Sequence, residues 1–140
     1  MKLHLGCGKK NIPGWTNIDV FSEHADIKID IKNLSDHFDN NSIDEVYACH
    51  VFEHFGRHEY SNIFKSIFGL LKPGGVFPTS VPDFPACATY YCETLDIDSI
   101  YGALYGGQIN EFDYHKWCFT YDSLKNNLEE LGFKDIKRYD

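Results

Sequence analysis

The sequence predicts an α/β fold built on a doubly wound, mostly parallel sheet, and three observations lead there. The chain opens on an alternating apolar run that enters a glycine turn, Leu3-His4-Leu5-Gly6-Cys7-Gly8. Strand-like segments then alternate with segments of helical spacing, the pattern of parallel strands joined by crossover helices. Acidic or polar residues stand at the ends of several of these strands, where open parallel sheets hold their ligands. At 140 residues the expectation is a single domain, 1–140, large enough for a real core.

Composition narrows the classes. The formal net charge is -8, and no basic cluster is longer than Lys9-Lys10. Such a chain gains nothing from counterion release, so nucleic acid is not an expected partner. No apolar run is long enough for a membrane helix, and Met1-Lys2 leads straight into a strand. Five cysteines without a repeating spacing do not form a disulfide framework and fit a reducing cytoplasm.

The first strand covers Leu3–Leu5. Its turn removes Cβ atoms where the backbone must bend and something must approach closely. Six residues, Lys9 to Gly14, then lead to a second strand-like run, Trp15-Thr16-Asn17-Ile18-Asp19-Val20. They are too few for a helix between the two strands. Residues 25–31 alternate with period two and predict a third strand ending near Asp30. Ile43 to Cys49 is the fourth strand, running into His50-Val51-Phe52-Glu53-His54-Phe55. Apolar residues at Tyr60, Ile63, Phe64, Ile67, Phe68, Leu70 and Leu71 have helical spacing. Lys72-Pro73-Gly74-Gly75 stops that helix, and Val76 to Val81 is the fifth strand, with Pro78 inside it. From Ala86 to Lys116 no clean period is visible. Thr120 caps a helix over Tyr121–Leu131, ended by Gly132, and Phe133 to Tyr139 is a sixth strand candidate.

Taken together, these residues resemble the class I (Rossmann-like) S-adenosylmethionine-dependent methyltransferases. Leu3 to Gly8 is similar to the family's first motif, and Asp19 stands where its ribose-binding acid ends the second strand. Asp30 with Ile31 resembles the pair that flanks adenine. Ile43 to Phe55 resembles the fourth-strand segment with its His-x-x-Glu-His stretch, and Leu70 to Gly75 the helix stop before the fifth strand. The resemblance implies S-adenosyl-L-methionine as cofactor, held by Gly6, Cys7, Gly8, Asp19, Asp30, Ile31 and His50. It also implies methyl transfer; the acidic charge balance and the aromatic middle segment point to a small-molecule or sugar-type acceptor. For the transfer itself the candidates are His50, His115 and Tyr114, with Tyr105 on the same aromatic stretch; a histidine suits proton removal near neutral pH. His4 replaces the family's usual acid, and the chain reads as a short form truncated at the C-terminal strand.

Other readings stay open. Gly6 and Gly8 also fit an ordinary strand-to-loop turn, and the aromatic middle also fits a lid that completes the core. A non-catalytic binding module is the alternative function, with an exposed sheet edge able to pair two copies as a homodimer. His50, Glu53 and His54, with Glu129 as a distant third ligand, also match an inverted zinc-hydrolase motif. That motif needs His50 and His54 on one helix, whereas the preceding residues are a strand. No metal is therefore expected.

Overall fold

The computed structural model describes residues 1–139. They divide into two compact units, residues 1–51 with 61–80, and residues 52–60 with 81 onward. The first unit holds a wholly parallel sheet of β1 (Lys2–Leu5), β2 (Thr16–Ile18), β3 (Ile43–Cys49), β4 (Leu71–Val76) and β5 (Thr79–Ser80). The strand order is β2-β1-β3-β4, and β5 also pairs with β3. β1 is central and buries Leu3, His4 and Leu5, as expected of a strand covered on both faces. Beyond β2, a short 3-10 turn (Ile31–Asn33) leads into α1 (Leu34–His37). α2 (Tyr60–Leu70) buries Ile63, Phe64, Ile67 and Leu70, a stripe at helical spacing. Each such side chain contributes about 2 kcal/mol on leaving water. Phe64 meets Phe77 edge-on, with ring centroids 5.8 Å apart.

The fifth strand of the sequence reading is two pieces. α2 stops at Leu70, and Leu71 pairs at once with Ile43, while Val76 pairs with Glu45. Residues 72–75 bulge out between these pairs, turned by Gly74 at φ +82°. Pro78 lies between β4 and β5, where its carbonyl accepts from Ala48 N at 3.2 Å. The proline therefore falls in a gap between strands, which is where a missing N–H is tolerated.

Two expected strands are absent. Over residues 25–31, only Ile27 pairs, in an isolated bridge with Ile18. Asp26 and Ile27 are instead drawn to Asn17, and Asp30 caps the 3-10 turn that follows. Phe133 to Tyr139 is also not a strand, and Asp135 at φ +56° breaks the extended run.

The second unit carries α3 (Phe84–Thr94), a 3-10 turn (Asp98–Ile100), α4 (Tyr101–Tyr105) and α5 (Tyr121–Glu130). The stretch that shows no period in the sequence thus contains two helices. Phe119 is buried against Tyr60, ring centroids 5.0 Å apart, and Phe84 N donates to the Phe119 carbonyl. α5 starts as expected: Thr120 Oγ1 accepts from Ser123 N while Thr120 N donates to Ser123 Oγ. No helix among the described residues is long and apolar enough to cross a membrane.

Candidate active site

Parallel pairing puts the carboxyl ends of β2, β1 and β3 side by side. Leu5 is in register with Ile18 on one side and Ala48 on the other. The glycine turn after β1 therefore lies between Asp19 and the Cys49-His50 tip. Both glycines are left-handed, Gly6 at φ +62° and Gly8 at φ +53°, a region that strains other residues. They differ in surroundings. A Cβ on Gly6 would stand 2.4 Å from Val51 Cγ2, whereas one on Gly8 would meet nothing within 4 Å. Gly6 is thus required by the chain's own packing, and Gly8 leaves its backbone open.

Asp19 ties the turn down. Its Oδ2 accepts from Gly8 N at 2.9 Å, and its Oδ1 accepts from Phe21 N and Ser22 N, each at 2.8 Å. Ser22 Oγ donates back to the Gly8 carbonyl. A carboxylate offers about four acceptor positions, so one remains on Asp19. Cys7 N donates to the Ile18 carbonyl, and the Cys7 side chain is buried. Burial first, and then the Asp19 and Asp26 carboxylates, push its thiol pKa upward. It is a packed thiol, suited to filling the turn and not to nucleophilic attack.

The sequence reading missed Asn17. This buried side chain organises the helix-free link between β1 and β2. Its Oδ1 accepts from Ile12 N at 2.8 Å and from His4 Nδ1 at 3.0 Å. Its Nδ2 donates to Asp26 Oδ2 at 2.8 Å and to the carbonyls of Ile12 and Trp15. Asn17 N also donates to Asp26 Oδ2, and these bonds from Asn17 hold the Asp26 carboxyl below the ordinary range. His4, standing where the family has an acid, keeps a role in ordering the loop by donating to Asn17. The only signal in the sequence was a polar residue inside an apolar strand.

Asp30 and Ile31 begin the segment after the isolated bridge. Asp30 Oδ1 accepts from Lys32 N at 2.9 Å, and Ile31 is buried. His50 is exposed at the tip of β3, in the left-handed region at φ +55°, with its N–H bonded to the Ser80 carbonyl. A β-carbon-bearing residue there costs about 1–2 kcal/mol, and such strain gathers at functional positions.

The remaining candidates belong to the second unit. Tyr114 is exposed, as is Tyr105. His115 Nδ1 donates to the Ala103 carbonyl at 2.9 Å, which fixes its tautomer, and its ring meets His54 edge-on at 4.7 Å. His115 Nε2 faces Glu53 Oε1 at 3.9 Å. Glu53 is completely buried, and its carbonyl accepts from Lys116 N and Trp117 N. The inverted hydrolase motif is not formed: Phe52–His54 is a 3-10 turn that excludes His50, and exposed Glu129 is paired with Lys125 at 3.1 Å.

A family profile described as a methyltransferase domain matches residues 3–78. No curated protein matches the chain in sequence. Among solved structures, a SAM-dependent methyltransferase from Archaeoglobus fulgidus is 17% identical with a TM-score of 0.67, over 97% of this chain and 62% of that one. A possible histamine N-methyltransferase from Thermotoga maritima is 14% identical with a TM-score of 0.66, over 96% of this chain and 64% of that one. The trans-methyltransferase CalH, in complex with SAH, is 16% identical with a TM-score of 0.56, over 95% of this chain and 44% of that one. The chain therefore spans less than two thirds of the length of these structures. The profile covers more than half of the sequence, on a parallel sheet that these structures share, and the chain belongs to the methyltransferase-domain family of class I, Rossmann-like type.

Proposed function

We propose that the chain binds S-adenosyl-L-methionine at the carboxyl edge of its sheet and transfers a methyl group to a small-molecule or sugar-type acceptor. The observation that carries this reading is the contrast between the two glycines. Gly6 is consumed by Val51, while Gly8, fixed by Asp19, leaves a space that a Cβ would enter. A close-approach glycine beside a strand-end acid suits an adenosyl ligand. In this reading the backbone of Gly6, Cys7 and Gly8 faces the amino-acid part, the last acceptor position of Asp19 takes a ribose hydroxyl, and Asp30 and Ile31 flank the base. The bound cofactor supplies an activated methyl on its sulfonium. The chain's task is then to align the acceptor and exclude water. His50 takes the acceptor's proton on its imidazole. Tyr114 and His115 belong to the second unit, where His115 has only Nε2 left to offer. The negative net charge favours an acceptor that is not a polyanion. The β4 and β5 edge is where a second copy would add a strand.

Calorimetric titration of the purified chain with S-adenosylmethionine and S-adenosylhomocysteine tests the cofactor site. Micromolar binding of both is expected, lost in Gly8→Ala and weakened in Asp19→Ala. His50→Ala should bind normally and lose turnover. No heat from either ligand, with no rise in Tm at excess ligand, would refute the reading.

A further inference from the structure

We propose that Glu53, His54 and His115 form a binding site for one divalent transition-metal ion of the zinc class. The candidate donor atoms of these three residues all lie within 4.8 Å of one another. Glu53 Oε1 and His115 Nε2, at 3.9 Å, are too far apart for a direct hydrogen bond. Donors at about 2.0–2.2 Å from a tetrahedral zinc stand about 3.4 Å apart. Small side-chain rotations thus bring the set to coordination distance.

Each histidine is prepared in the manner of a ligand. His115 commits Nδ1–H to the Ala103 carbonyl, which leaves the Nε2 lone pair facing Glu53. A ligating imidazole ordinarily uses its second nitrogen in this way. His54 Nδ1 is buried with no hydrogen-bond partner among the described residues. The Glu53 and His115 side chains are only 1% and 9% exposed, so an ion held between them would be shielded from bulk water. Two imidazoles and one carboxylate select zinc, iron or manganese over calcium. Three protein donors also leave a coordination position for water or an oxygen or nitrogen ligand. The site stands independently of the methyl-transfer reading, and its three residues all belong to the second unit.

The test uses the whole chain, stripped with a chelator and titrated with Zn2+ alone by calorimetry, then loaded with Co2+ for visible spectroscopy. Expected are one equivalent of Zn2+ and a Co2+ spectrum with d–d bands but no thiolate charge-transfer band. Affinity should fall at least roughly tenfold in His115→Gln and in Glu53→Gln, and be unchanged in His24→Gln. Glu53 is buried, so if Glu53→Gln does not fold, His115→Gln and the wild-type Co2+ spectrum decide the matter. No Zn2+ binding, unchanged binding in His115→Gln, or a thiolate band assigning the ion to cysteine would each overturn the proposal.

Discussion

At Asn17 a single side chain holds Ile12, Trp15, Asp26 and His4 in one network. Asn17→Ala leaves the buried His4 Nδ1–H without its acceptor, and an unsatisfied buried donor costs more than a lost bond. The expected loss is about 2–3 kcal/mol, read as a lower urea midpoint with unchanged slope. Asp44 presents a different kind of bond. Its hydrogen bond to Lys72, and then one from the N-terminal ammonium, lower its pKa from 3.8 to about 2. A folded pKa below the unfolded one means that this contribution is complete above the unfolded value. It fades as pH falls from 3.8 toward 2. Asp44→Asn should therefore lower Tm at neutral pH, and its difference from wild type should vanish at the acid end of a Tm-against-pH series.

Among the elements, legibility in the sequence followed burial. α2 showed its period because it buries one face, whereas α3 buries none of its residues and so displays no hydrophobic repeat. Alternation alone misled at residues 25–31, where Asn17 captures the backbone that a ladder would have used. The glycine turn and Asp19 were visible because positive φ and a strand-end acid call for specific residue types. The facing of Glu53 and His115 was not visible, because it joins positions 62 apart in sequence. α5 was legible through its cap. Thr120→Ala should cost about 1 kcal/mol, measurable by thermal melting.

For the whole molecule, the family and the parallel sheet follow from the profile match and the shared fold. The helix-free link between β1 and β2 has a further consequence, for the order of folding. His4 and Asn17 meet across 13 positions, whereas Met1 and Asp44 meet across 43. Closing the shorter loop costs less entropy, so β1 and β2 can dock before β3 arrives, an unusual head start for parallel neighbours. Asn17→Ala is then expected to slow refolding, whereas Asp44→Asn chiefly hastens unfolding, a division that the two arms of a chevron plot would display.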